Sequence, residues 1–125
     1  AMSSAGPKRI ALVTDAMSAT GQPDGDYILG SLPVKVVDGR ARLLAADGSL
    51  GAIAGSTLTM GRAVEFVTSV VGIPLGQVAV MAATTPAKLH GLNEVGVIEE
   101  GHWADLCLTD AKGHLVRVIH RGEAV

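Results

Sequence analysis

Aromatic side chains are almost missing from this sequence: Tyr27, Phe66 and Trp103 are all it has in 125 residues. A folded core must therefore be packed from Val, Leu, Ile, Ala and Met, within a hydrophobic content of 48%. One cysteine, Cys107, excludes an intrachain disulfide and fits a reducing, cytoplasmic compartment. It falls in an apolar stretch with no base nearby, which reads as a buried structural thiol rather than a nucleophile. No apolar run is long enough to cross a bilayer and no signal-peptide pattern opens the chain, so no membrane association is expected. Basic clusters and aromatic ladders are absent at a net charge of −2, which leaves nucleic-acid binding without an electrostatic footprint. His90, His102, His114 and His120 are scattered, with neither His-x-His nor His-Glu-x-x-His spacing. They read as surface or capping residues, and no metal ligand is assigned within this chain.

What is present is a strongly apolar chain of single-domain length, with a mean hydropathy of +0.39. That value is high for a small free-standing domain and implies apolar surface that another polypeptide covers. Ile10-Ala11-Leu12-Val13 is apolar without alternation and ends in Thr14-Asp15. It reads as a strand buried on both faces, of the kind found in parallel sheets. Residues 16–33, punctuated by Pro23-Asp24-Gly25, read as a long loop. Asp38-Gly39 between Val34-Lys35-Val36-Val37 and Arg40-Ala41-Arg42-Leu43-Leu44 predicts a hairpin, and Asp47-Gly48 predicts a further turn before Leu50. From Thr57 the period changes: Met60, Ala63, Val64, Phe66, Val67, Val70 and Val71 form the stripe of an amphipathic helix closed by Gly72. Pro74 opens a second helix, and Thr85-Pro86 reads as cap and first position of a third, ended by Gly91. Residues 104–109 and 115–120 form a second hairpin around Asp110-Ala111-Lys112-Gly113. A lone parallel-type strand at residues 10–14 has no neighbour of its kind elsewhere in this sequence.

Asp15 closes the first apolar run, the end of a strand at which barrel enzymes place their chemistry. It is equally placed to serve as a turn or capping aspartate. Ile53-Ala54-Gly55-Ser56-Thr57-Leu58-Thr59-Met60 puts glycine and small hydroxyls ahead of a helix, where backbone amides hold anions or sugar oxygens. Ordinary capping by Ser56 or Thr57 is the alternative there.

Three stretches together resemble the N-acetylglucosamine-6-phosphate deacetylases. Val13-Thr14-Asp15-Ala16-Met17-Ser18-Ala19-Thr20-Gly21 with Pro23-Asp24-Gly25 is similar to their eighth-strand segment. Ala54-Gly55-Ser56-Thr57-Leu58-Thr59-Met60 is similar to their following loop and helix start. Ala83-Thr84-Thr85-Pro86-Ala87, Gly91-Leu92 and Gly96-Val97-Ile98-Glu99-Glu100-Gly101 with Ala104-Asp105-Leu106 resemble a tail shared across the amidohydrolase superfamily. The resemblance runs from about Ile10 to the C-terminus and implies the C-terminal portion of such an enzyme.

On that resemblance the fold class is an α+β fragment: the last strand and helices of a metal-dependent (β/α)8 barrel, plus C-terminal strands of a small β-domain. The expected divisions are residues 1–9, a tag remnant (Ala1 precedes Met2) and leader; 10–33, the last barrel strand and active-site loop; and 34–52, a hairpin region. Residues 53–92 are a helical segment packing on the barrel, and 93–125 the β-domain hairpin. The resemblance implies that Asp15 is the general acid/base of a water attack on the acetamide of N-acetylglucosamine 6-phosphate, giving glucosamine 6-phosphate and acetate. It implies main-chain substrate contacts from Ile53, Ala54 and Gly55, and a divalent metal, Zn or Fe, in the complete enzyme that activates the water. The family's metal ligands and phosphate-contacting residues have no counterpart here. The expected partners are therefore an amino-sugar phosphate, a missing N-terminal barrel portion and further copies in a homo-oligomer, and the chain alone is expected to be inactive. A non-catalytic self-associating module is the alternative, and a cyclic-amide hydrolase or deaminase of the same superfamily a further one.

Overall fold

The computed structural model describes residues 5–125, so residues 1–4 of the expected tag remnant and leader lie outside the described residues. Two compact units are present: Thr14–Thr59, and the residues up to Val13 together with Met60–Val125.

Thr14–Thr59 is a four-stranded antiparallel meander, β1 (Gly25–Leu29), β2 (Leu32–Val37), β3 (Arg40–Leu44) and β4 (Leu50–Ile53), paired in that order. The β2–β3 turn is the one Asp38-Gly39 predicts, with φ of 50° and 66° at its two central residues. Positive φ at both is what a two-residue turn needs to match the twist of its strands. Alternation along the strands makes one face. Tyr27 pairs with Val34, Val34 with Leu43, and Val36 with Ala41. Val34 and Val36 are 0% and 2% exposed, and Met17, Ala19 and Ala54 complete the cluster. Burial of a valine contributes about 1.5–2 kcal/mol, so this small aliphatic cluster holds the meander without a buried aromatic ring. The opposite face carries the cross-strand row Asp26, Lys35 and Arg42, with Lys35 Nζ 3.4 Å from Asp26.

Two expectations change here. Residues 16–33 are not loop throughout, because Gly25–Leu29 pairs with β2 and the loop ends at Gly25. Residues 10–14 do not form a strand buried on both faces. They pair with no strand among the described residues, Leu12 N–H donates to Met81 O at 2.9 Å, and Val13 is 75% exposed. A doubly buried strand needs a strand neighbour on each side, and the hydrogen bonds described for these residues run instead to Met81 O and, from Ile10 N–H, to Pro7 O.

In the other unit, α1 (Met60–Ser69) presents Ala63 inward, with Met60, Val64 and Val67 half-buried. Ile73 N–H donates to Val67 O at 3.1 Å across Gly72, whose φ of 78° completes the expected left-handed cap. Phe66, Val70 and Val71 are 55%, 69% and 54% exposed, contrary to the single stripe expected. At 100° per residue Phe66 and Val70 fall outside the arc of Met60, Ala63, Val64 and Val67. The second and third helices are not separate. α2 (Leu75–Ala79) runs through a π-turn, Val80–Thr84, into α3 (Thr85–Leu89). Thr85 is helical and caps nothing; its hydroxyl donates to Pro7 O at 3.0 Å. Pro86 has no N–H and its ring crowds the carbonyl four residues back, and the widened turn falls just ahead of it.

The C-terminal sheet is β5 (Leu106–Thr109), β6 (Leu115–His120) and β7 (Glu123–Ala124). Cys107 is exposed on β5, not buried, as is its neighbour Leu108, in a short strand whose register shifts between Leu108 and Thr109. The β5–β6 turn packs on α1. Gly113, at φ 85°, is buried with a Cβ position only 3.2 Å from Thr68 Oγ1. Beside it His114 Nδ1 lies 2.6 Å from Asp110 Oδ2, and His114 Nε2 lies 3.3 Å from Glu65 on α1.

Gly96 fills a similar place against the helix. At φ 88°, a Cβ there would stand 2.6 Å from Ala87 Cβ and 3.1 Å from the Ala83 carbonyl, while Thr84 Oγ1 donates to Gly96 O at 2.6 Å. Gly96→Ala is expected to cost about 2–4 kcal/mol in urea unfolding, and an unchanged midpoint would contradict this packing. The hydrogen bond to Asp110, then its charge and that of Glu65, raise the His114 pKa above its ordinary 6.5. A raised folded-state value contributes stability that is complete below the unfolded pKa and is lost as pH rises through the folded one. The stability difference between wild type and His114→Gln is therefore expected to shrink from about pH 5.5 to pH 8.5. A difference that grows over that range would contradict the clasp.

Candidate functional site

Asp15 and the 53–55 segment, far apart in sequence, are neighbours at one end of the meander. Ala16 and Ser56 form a parallel bridge. Ser56 N–H donates to Asp15 O at 3.2 Å, and Met17 N–H donates to Ser56 O at 2.9 Å. Asp15 is exposed and left-handed, with φ of 51°. The other two non-glycine residues with positive φ, Asp38 and Arg121, sit in two-residue turns joining paired strands. Asp15 has no such turn, and positive φ held in a non-glycine residue by its surroundings gathers at functional positions.

Ile53 ends β4 and is 74% exposed, whereas Ala54 is 4% exposed and its N–H donates to Ala41 O at 3.0 Å. Gly55 has φ of 77°, and a Cβ there would lie 3.3 Å from Met17 Cβ. Glycine at 55 thus permits both the turn and the close approach of the segment that carries Asp15. Neither Ser56 nor Thr57 caps α1. Ser56 Oγ accepts from Leu58 N–H at 3.0 Å, and Thr57 Oγ1 donates to Gly39 O. The helix starts later, at Met60, so these hydroxyls serve the meander instead.

The same end of the meander is tied from its other side by Asp24, which sequence reading treats only as a turn residue. Its carboxylate accepts from the N–H groups of Asp38 and Gly39, the latter at 3.1 Å. Tyr27 Oη donates to Pro23 O at 2.6 Å and fixes the same turn. The Asp38-Gly39 turn is therefore held by Asp24 ahead of β1 and by Thr57 after β4. No local sequence signal marks these bonds, because partners that far apart meet only through the strand register.

Among the described residues, no group of three or more His, Cys, Asp or Glu is placed to hold a metal ion. His120 Nδ1 lies 3.1 Å from Asp105, His102 Nδ1 is buried without a hydrogen-bond partner, and His90 is exposed at the end of α3. Two surface clefts, one at Trp103, Ala104 and Arg121 and the other at Leu32, Leu43 and neighbours, are not lined by Asp15 or residues 53–55. The candidate site is thus an exposed rim on which Asp15 is the candidate carboxylate. No helix among the described residues is long and apolar enough to cross a membrane.

Residues 6–125 match the model of the amidohydrolase family. Over 118 residues the chain is 35% identical to the N-acetylglucosamine-6-phosphate deacetylase of Vibrio furnissii, covering 94% of this chain and 28% of that one. It is 32% identical over 117 residues to an N-acetylgalactosamine-6-phosphate deacetylase of Escherichia coli O157:H7, covering 93% and 30%. The fold aligns at a TM-score of 0.82 and 35% identity with a mutant N-acetyl-D-glucosamine-6-phosphate deacetylase of Mycobacterium smegmatis in complex with N-acetyl-D-glucosamine 6-phosphate, covering 98% and 32%. The chain spans about three tenths of the length of these relatives.

Asp24→Ala removes both acceptors of the turn. It is expected to lower stability by about 1–2 kcal/mol, read as a lower urea midpoint, with a wild-type midpoint contradicting the tether.

Proposed function

Because this chain belongs to the amidohydrolase family, we propose that it forms the C-terminal part of an N-acetylglucosamine-6-phosphate deacetylase and supplies its general acid/base, Asp15. The observation that carries this reading is the placement of Asp15. It is an exposed, left-handed aspartate bridged to the Gly55–Ser56 backbone, in a chain similar to deacetylases over more than nine tenths of its length. In the proposed reaction a water oxygen attacks the acetamide carbonyl carbon while the Asp15 carboxylate accepts a proton from that water. The C–N bond then breaks, the proton passes from Asp15 to the leaving nitrogen, and the products are glucosamine 6-phosphate and acetate. Ile53, Ala54 and Gly55 line the same rim and are assigned main-chain contacts to the sugar.

A complete enzyme of this type is expected to carry a divalent metal. The residues here do not fit one, since among the described residues no group of three or more His, Cys, Asp or Glu is placed to hold a metal ion, so the chemistry assigned to this chain is confined to the Asp15 carboxylate. Hydrolysis by this chain is accordingly expected only with the remainder of the family's length. The expected (β/α)8 barrel setting of residues 10–92 and the β-domain setting of 93–125 belong to the same proposal. Large apolar side chains left exposed, among them Val13, Phe66, Leu89 and Ile98, support coverage by that remainder or by a second copy, and a cytoplasmic location fits such a metabolic role.

The test is an acetate-release assay on N-acetylglucosamine 6-phosphate, with added zinc, using this chain with and without a polypeptide supplying the unmatched part of a relative. Activity is expected only in the mixture, and Asp15→Asn is expected to lower kcat by about a thousandfold or more. Undiminished turnover by Asp15→Asn in an active mixture would overturn the assignment.

A further inference from the structure

We propose that Thr20 is a positioning residue for Asp15, acting through the Ser56 carbonyl; this rests on the reading of Asp15 as the acid/base. Thr20 is half-buried, and its hydroxyl donates to Ser56 O at 3.1 Å. That oxygen also accepts from Met17 N–H at 2.9 Å, while Ser56 N–H returns to Asp15 O at 3.2 Å. One peptide carbonyl is thereby gripped from both sides of the loop that follows Asp15. The loop itself is short and wound tight, with Thr20 N–H donating to Met17 O at 3.0 Å and Gln22 N–H to Ala19 O at 3.1 Å. Its inward residues Met17 and Ala19 are buried in the meander core, so Thr20 is the loop's polar contact to the opposing segment.

The geometry gives this bond a task that packing alone does not perform. Asp15 holds a left-handed φ that relaxes unless its neighbours fix it. The two main-chain bonds of the bridge fix the peptides on either side of Ala16, and each is short of cooperative support because the bridge is isolated rather than part of a ladder. A second donor on Ser56 O restrains the carbonyl against rotating away from Met17. Gly55 completes the device, since a Cβ there would stand 3.3 Å from Met17 Cβ and press on the segment that carries Asp15.

The test compares Thr20→Val with Thr20→Ser in two measurements. In the intact chain, amide hydrogen exchange at Met17 is expected to quicken about tenfold in Thr20→Val and return to the wild-type rate in Thr20→Ser, with Val34 and Val36 unchanged. In the reconstituted deacetylase, Thr20→Val is expected to lower kcat about tenfold with KM within about twofold, and Thr20→Ser to restore it. Wild-type exchange at Met17 and wild-type kcat in Thr20→Val would overturn the proposal. So would equal acceleration at Met17, Val34 and Val36, which assigns Thr20 to general stability. Loss of activity in Asp15→Asn beside a silent Thr20→Val removes the positioning role alone, whereas full activity in Asp15→Asn removes the acid/base reading itself.

Discussion

A single parallel bridge, Ala16 to Ser56, is the contact on which the candidate site depends. It joins the two ends of an antiparallel meander, and nothing local in the chain would bring those ends together. The meander does so by register. Val36 opposite Ala41 and Arg42 opposite Ile53 set where Ala54 falls, and Ala54 sets where Gly55 and Ser56 meet the segment that carries Asp15. A slip of one residue in any pairing would turn the buried face outward and part the two segments. The small aliphatic core around Val34 and Val36 is therefore also what fixes the site's geometry.

Two kinds of restraint act around that bridge. Glycine and left-handed residues allow the chain to bend where it must: Gly39 in the turn, Gly55 at the close approach, Asp15 itself at the site. Side-chain acceptors and donors then hold what the bends permit. Asp24 and Thr57 secure the Asp38-Gly39 turn from opposite directions, and Thr20 secures the Ser56 carbonyl. The resulting rim is exposed and carries a carboxylate but no ligand set. That matches a chain covering about three tenths of the relatives it resembles. Relatives named as N-acetylglucosamine-6-phosphate and as N-acetylgalactosamine-6-phosphate deacetylases occur at similar identity.

Much of the fold was legible in residue patterns. Asp38-Gly39 demanded positive φ twice and so specified its turn, and Gly72 marked the end of α1 because only a left-handed residue closes a helix in that way. Strand β1 was missed because residues 16–33, punctuated by glycine and proline, read as one long loop. The exposure of Phe66 and Val70 could not be read from periodicity, which reports an apolar arc but not whether anything covers it. Thr85-Pro86 carried a start signal that the π-turn overrode, since a widened turn lets a helix pass a proline. Asp15 and residues 53–55 were legible as candidates through family resemblance. Their adjacency, and the parts of Thr20, Asp24 and Thr57, arise from long-range register and have no local signature.

The most direct test of the site's architecture is a through-hydrogen-bond coupling measurement by NMR on the isotopically labelled chain, whose 12.7 kDa mass suits it. A cross-peak from the Met17 amide nitrogen to the Ser56 carbonyl carbon is the expected result, alongside cross-peaks within the β2–β3 hairpin. Hairpin cross-peaks without the Met17–Ser56 one would show a folded meander whose ends do not meet, and would contradict a preformed site at Asp15.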